Sequence, residues 1–181
     1  MSDIIIKLLE ESDAQELFTF ELKNRAFFES VGFPRGDKYY ELNNFNTIIK
    51  ESMEEQEKGL IKMYLIKNHN GMILGRINLL SIVRGIFNKA ELGYRMGEEH
   101  QGKGYATSAA KLILDEAVNN HKLHRVEAGT SPDNIGSQIV LIKNGFQFVG
   151  RYNKYINKNG KWCDTIYFEK ILDWIYAVKY S

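Results

Sequence analysis

Two rhythms of apolar positions run along this chain. Ile4 to Leu9 is a short apolar run and predicts a strand. Glu11-Ser12-Asp13-Ala14-Gln15 follows with the spacing of a capping box, Ser12 as cap and Gln15 three residues on, so a helix is expected to about Phe27. Leu42, Phe45, Ile49 and Met53 recur at helical spacing, and Gly59 stands where a helix stop belongs. Between these helices, residues 28–39 hold Gly32, Pro34 and Gly36 and form the longest irregular stretch. Long loops in compact domains are often functional.

The rhythm then shortens. Leu60 to Lys67 and Met72 to Val83 read as strands around the hairpin signal Asn68-His69-Asn70-Gly71. Next, Ala90, Leu92, Tyr94 and Met96 alternate with Glu91, Gly93 and Arg95, giving one apolar face and one charged face. A glycine-rich turn leads into a helix from about Tyr105 to Asn120, with Ala106, Ala109, Ala110, Ile113 and Ala117 on one stripe. Arg125 to Thr130 is a strand, and Pro132-Asp133-Asn134 opens a helix ending at Asn144-Gly145. Phe146 to Ile156 and Trp162 to Ile171 form a last hairpin across Asn157-Lys158-Asn159-Gly160. The order β-α-α-β-β-β-α-β-α-β-β, without repeat or linker, reads as one mixed α/β domain over residues 1–181.

Composition narrows the function classes. With 24 basic against 23 acidic residues the net charge is +1, which argues against a dedicated nucleic-acid binder. One cysteine, Cys163, excludes an internal disulfide and a multi-cysteine metal site. The N-terminus lacks a basic segment and a long apolar run, and no stretch approaches the roughly 20 apolar residues of a spanning helix, so a soluble cytoplasmic protein is expected. Lysine outnumbers arginine 17 to 7, a bias of AT-rich bacterial genomes.

Candidate chemistry concentrates in Met96-Gly97-Glu98-Glu99-His100-Gln101-Gly102-Lys103-Gly104-Tyr105-Ala106-Thr107. A strand ends, glycines follow and a helix begins. Backbone N–H groups of such a turn converge, and the helix start adds unpaired donors and a positive dipole end. That combination binds phosphate without side-chain charge, and Gly102, Gly104 and Ala106 permit close approach. Gly104 stands where a P-loop needs Ser or Thr, and the G-x-G-x-x-G fingerprint is absent. The plain alternative is a helix that merely starts after glycines.

In the second segment Asn134, Ser137 and Leu141 share one helix side, and Ile135, Ile139, Ile142 and then Phe146 share another. The apolar stripe is expected against the sheet, leaving the Asn134–Ser137 side to a cleft. The plain alternative is Asn134 as an N-cap and Ser137 as a solvated serine.

Together the segments resemble the GNAT superfamily of N-acetyltransferases. Its Q/R-x-x-G-x-G/A pattern is matched by Gln101, Gly104 and Ala106, and a second block by Asn134 and Gly145-Phe146. Ala90-Glu91-Leu92-Gly93-Tyr94, Asn134-Ile135-Gly136-Ser137 and the final hairpin are most similar to the RimJ/RimL-type ribosomal-protein N-terminal acetyltransferases. The resemblance implies a mixed, largely antiparallel twisted sheet of about seven strands with four helices over essentially the whole chain. It implies acetyl-coenzyme A as donor and no metal. The pyrophosphate would lie on backbone N–H groups of Gly102, Lys103, Gly104, Tyr105, Ala106 and Thr107. The pantetheine arm would pair with Tyr94, Arg95 and Met96 where the strand splays from its neighbour, and with Asn134. The Met96 N–H would polarise the thioester carbonyl. A protein N-terminus is the implied acceptor, with neither nucleic acid nor membrane as partner, and a homodimer is left open.

Two departures matter. The tyrosine that many members place seven residues after the asparagine, to protonate the leaving thiolate, is Leu141 here; Ser137 is the nearest substitute. The hairpin glutamate base of RimL-type members is Ile156. An α-amine, with a pKa of roughly 7.7–8.0 against roughly 10.4 for lysine, needs only a weak base. Glu91 is the candidate, to hold a water or orient the ammonium; its plain alternative is a salt bridge to Arg95. Phe33, Tyr39 and Tyr40 either line an acceptor pocket or anchor the irregular stretch, and His121 with His124 reads as a helix end rather than a metal pair. Alternatives within reach are a small-amine acetyltransferase (polyamine or aminoglycoside type) and a catalytically weak coenzyme A-binding module.

Overall fold

The alternating runs build the centre of one seven-stranded sheet. Its strands are β1 (Ile4–Leu8), β2 (Lys62–Asn68), β3 (Ile73–Val83), β4 (Lys89–Met96), β5 (Arg125–Thr130), β6 (Gln147–Lys158) and β7 (Lys161–Ile171). The order across the sheet is β1-β2-β3-β4-β5-β7-β6. Every neighbouring pair is antiparallel except β4 and β5. The computed structural model describes residues 4–32, 35–158 and 160–172. Phe33, Pro34 and Asn159, each singled out in the sequence, lie outside them.

Helices cover both faces. The apolar side of β4 (Ala90, Leu92 and Met96, all buried) joins Ile77, Leu79, Val126 and Ala128 under α4 (Tyr105–Asn119), whose Ala109, Ala110, Ile113 and Ala117 are fully buried. The small residues bring α4 close to the sheet, and α4 supplies the crossover that two parallel strands require. On the other face, α1 (Ala14–Lys23), α2 (Arg25–Val31) and α3 (Leu42–Glu57) enclose a second core around Leu17, Phe18, Phe45, Ile49 and Leu65. The remaining helix is α5 (Ile135–Lys143).

The structure corrects four local expectations. The helix expected to about Phe27 breaks at Asn24 into α1 and α2, so five helices replace four. The buried Asn24 amide is the cause: Nδ2 donates to the Phe20 carbonyl and Oδ1 accepts from the Glu98 N–H, tying the break to the turn after β4. The capping box sits at Glu10 and Asp13 rather than Ser12 and Gln15. Asp13 wins because it is buried and also pairs with Lys7 at 2.7 Å. The irregular stretch shortens, since α2 runs to Val31 and a 3-10 turn covers Asp37–Tyr40. Finally, Ile135, Ile139 and Ile142 of α5 are exposed, while Val140, Leu141 and Phe146 are buried. Apolar residues surround this short helix, so periodicity could not choose the inward side.

One glycine sets the distance between β3 and β4. A Cβ on Gly75 would lie 2.5 Å from the Arg95 carbonyl oxygen and 2.8 Å from the Met96 sulfur. Gly75→Ala is expected to destabilise the fold by about 1–3 kcal/mol, the usual cost of overpacking. A thermal melt matching that of the unaltered protein would show that the strands can part without penalty.

Candidate active site

The parallel pair is short. β4 and β5 are in register at Lys89–Arg125, Ala90–Val126 and Glu91–Glu127, and no pairing follows. Each strand stays bonded on its other side, β4 to β3 up to Met96 and β5 to β7 up to Thr130. A fork therefore opens in mid-sheet beyond Glu91. Just past β4, the Gly97 N–H donates to the Leu74 carbonyl at 2.9 Å. By the alternation of an antiparallel ladder, Arg95 and Gly93 then spend their backbone groups on β3, and those of Tyr94 and Met96 point into the fork. The Met96 carbonyl is taken by Gln101 Nε2 at 2.9 Å, which leaves its N–H as the free donor. Gln101 thus closes the turn onto β4.

At the mouth of the fork lies the glycine turn. A 3-10 turn over Glu98–His100 is followed by Gly102 at φ +71° and Gly104 at φ +79°, and Gly104 caps α4. Such left-handed backbone favours glycine. Open space lies in front of both Cα atoms. The first helical bond runs from the Ser108 N–H to the Gly104 carbonyl, and no side chain caps the helix. The N–H groups of Tyr105, Ala106 and Thr107 are thus the free donors of a first turn. Lys103 is exposed beside them.

α5 starts on the α4 side of the fork. The exposed Asn134 caps it, its Oδ1 accepting from the Ser137 N–H at 3.0 Å. Ser137 is half-buried, and its Oγ accepts from the Tyr94 hydroxyl at 3.2 Å. Burial raises the Tyr94 pKa above its ordinary value, partly offset by that hydrogen bond, so the phenol stays protonated at neutral pH. The sequence reading named Tyr94 for its backbone alone; the contact of its hydroxyl with Ser137 was not foreseen, because the apolar phase of β4 marked the side chain as core. Leu141, one turn further, is fully buried.

Glu91 stands on the opposite face, at the fork itself. It makes no ion pair among the described residues. The salt bridge weighed for Arg95 does not form with Glu91: the Arg95 guanidinium reaches Glu21, Nη1 to Oε2 at 3.2 Å. Beyond the fork, the Tyr167 ring lies over Gly129, where a Cβ would meet it at 3.2 Å. Tyr152 stacks on Tyr155 at 4.9 Å, and both meet Tyr167 edge-on. The Tyr167 hydroxyl is held well above its usual range by burial, by its bond to Tyr155 and by nearby negative charge that includes Glu91. These rings form an aromatic wall next to a carboxylate, a setting suited to an ammonium group. Ile156 lies further along the hairpin, paired with Cys163.

The model of the acetyltransferase (GNAT) domain matches residues 3–147. The chain belongs to the GNAT acetyltransferase family. It is 36% identical over 162 residues to the probable N-acetyltransferase YjcK of Bacillus subtilis (strain 168), covering 89% of this chain and 90% of the relative. The crystal structure of the ribosomal-protein-S5-alanine acetyltransferase from Vibrio fischeri superposes with a TM-score of 0.89 at 26% identity, covering 96% of this chain and 95% of that one. Mycobacterium smegmatis RimJ, in complex with CoA-disulfide, shares the fold with a TM-score of 0.86 at 21% identity, covering 97% of this chain and 89% of that one.

The activity of this GNAT protein is acetyl transfer from acetyl-coenzyme A to an amine nitrogen. The geometry fits that donor: unpaired strand groups in the fork suit the amides of a pantetheine arm, and the uncapped start of α4 suits a pyrophosphate. No group of three His, Cys, Asp or Glu among the described residues is placed to hold a metal. His121 is engaged by the Tyr64 hydroxyl at 2.7 Å. No helix among the described residues is long and apolar enough to cross a membrane.

Gly104→Val puts a branched side chain at a left-handed position in the middle of the turn. Coenzyme A affinity is expected to fall at least tenfold by calorimetry. Unchanged affinity in a folded variant would remove this turn from the phosphate site.

Proposed function

We propose that the enzyme acetylates the N-terminal α-amine of a protein in the cytoplasm, a ribosomal protein being the favoured class. The observation that carries this reading is the division of labour around the fork. Backbone donors and Ser137 stand on one side, while the amine's side holds an aromatic wall and Glu91, a carboxylate with no ion pair among the described residues, unlike Glu127 and Glu21 on the same face, and Ile156 stands where a hairpin base is expected. The similarity to the Vibrio fischeri S5-alanine acetyltransferase supports the same class.

Bound acetyl-coenzyme A supplies an activated acetyl group. The Met96 N–H, pointing into the fork, stabilises the negative charge that grows on the carbonyl oxygen. Glu91 orients the incoming ammonium and takes its proton, directly or through one water. Its proximity to Tyr152, Tyr155 and Tyr167 keeps the cation at the fork rather than in bulk solvent. Ser137 donates its hydroxyl proton to the departing thiolate. The Tyr94 hydroxyl, bonded to Ser137 Oγ, fixes that oxygen so that its own proton points outward. Asn134 serves twice, with Oδ1 spent on the Ser137 N–H and its Nδ2 left for the pantetheine arm.

An acceptor that ionises easily suits so modest a base. Near pH 7.5 roughly a quarter to a third of an α-amine is neutral, against about a thousandth of a lysine amine.

Ser137→Ala is expected to lower kcat by roughly 10²–10⁴-fold, the usual worth of general acid catalysis, with little change in the KM for acetyl-coenzyme A. A loss under threefold would transfer the role to the Tyr94 hydroxyl or to water. Paired peptides test the acceptor: one has a free N-terminus and no lysine, the other a blocked N-terminus and one lysine. Transfer to the first is expected to exceed transfer to the second by more than a hundredfold, rising from pH 6 to 8 and then levelling. Preference for the blocked peptide would overturn the N-terminal reading.

A further inference from the structure

The amine's side of β4 carries more positive charge than the fold consumes. Glu21 is fully buried between two arginines, with Arg76 Nε 3.1 Å from Oε1 and Arg95 Nη1 3.2 Å from Oε2. A third guanidinium, Arg35, lies 4.6 Å over the Tyr39 ring and has no carboxylate partner among the described residues. Arg25 nearby differs, because Glu29 and Asp37 both pair with it. Three guanidiniums thus share one carboxylate. Desolvation first, and then the charge of Arg76, lowers the pKa of both Arg35 and Arg95, that of Arg35 to about 10. Arg35 nonetheless keeps its outer surface open to solvent, and its charge remains available to a ligand.

A second observation comes from Asn78. It follows Arg76 by two residues on the same face of β3 and sits directly across from Gly93 of β4. Only 8% of the residue is exposed, yet its Oδ1 has no hydrogen-bond partner among the described residues. A buried acceptor without a donor is costly unless a ligand supplies one. Glu91 lies on this same face, four residues from Arg95, or about 13 Å along the strand, with Asn78 facing the position between them. The face is therefore dipolar. Asn78 Oδ1 and Glu91 offer acceptors to an ammonium, and Arg95 and Arg35 offer guanidiniums to an anion.

We propose that the acceptor is an amine carrying a carboxylate close by: an N-terminus whose opening residues include an acidic side chain. This rests on the N-terminal reading above and names the acceptor within it. Arg95 and Arg35 hold the carboxylate, and Asn78 and Glu91 receive the ammonium. A small free amino acid presents the same pair of charges, so the test separates the two sources.

The protein is given acetyl-coenzyme A and three peptides that differ only in the second residue, glutamate, glutamine or lysine, with free glutamate as a fourth acceptor. The glutamate peptide is expected to exceed the lysine peptide at least tenfold in kcat/KM, with glutamine between. That ratio shrinks as salt rises, because the site is partly exposed. It falls toward one in Arg35→Gln. Being a ratio within one protein, it is insensitive to the fraction folded. Equal transfer to all three peptides overturns the acidic preference and leaves the N-terminal reading intact. A glutamate preference that survives Arg35→Gln overturns the assignment to Arg35. Transfer to free glutamate but to no peptide overturns the N-terminal reading, and transfer to none of the four overturns both.

Discussion

After Glu91 and Glu127, β4 and β5 stop exchanging backbone hydrogen bonds in the centre of the sheet. Each strand is already committed to its other neighbour, so the sheet divides into a four-stranded part and a three-stranded part joined at the base of the fork. Backbone N–H and C=O groups left unpaired at a buried place are expensive. A strand-like ligand lying in the gap completes the ladder, as added strands do at sheet edges. The family's donor has amides spaced along an extended arm, which is the shape such a gap admits.

The groups around the fork take their positions from this parting. Tyr94 and Met96 face the gap with their backbones only because Gly93 and Arg95 are bonded to β3, and Gly75 permits the close approach that keeps that ladder intact. Gln101 then folds the glycine turn back onto Met96, bringing the uncapped start of α4 to the mouth of the fork. Asn24 secures the turn from outside through the Glu98 N–H. Glycine turn and helix break are thus one hydrogen-bonded assembly.

Across the sheet, the buried Glu21 links α1 to β3 and β4 through Arg76 and Arg95. Removing one partner of such a buried group costs about 3–5 kcal/mol, since the other charge is stranded. The cations of β4 on this face are both taken, Arg95 by Glu21 and Lys89 by Glu127, and Glu91 has no ion pair among the described residues. The charge left over on Arg35 lies over the Tyr39 ring, within reach of the fields of Arg76 and Arg95.

Much of this was legible in the chain. Alternation in Ala90–Met96 marked a strand with one apolar and one charged face, and both faces are as expected. The glycines at 102 and 104 marked a turn into a helix, since their left-handed backbone leaves few other residues. The two family segments, far apart in sequence, pointed to one chemistry. Long-range pairing stayed out of reach. Periodicity states which side of an element is apolar, and it fails where an element is apolar all round, as in α5, whose inward side is Leu141 rather than Ile139. It also misses the polar end of a core residue, as with Tyr94, whose ring packs on the core while its hydroxyl reaches Ser137. It also cannot choose among carboxylates for an arginine: Glu91 is four residues from Arg95 on the same strand face, and Glu21, seventy-four residues away, is its partner. The sequence determined local conformation, because that depends on neighbours a few residues apart. The tertiary structure alone decided which distant groups share a hydrogen bond or a charge, because those energies depend on distance through space.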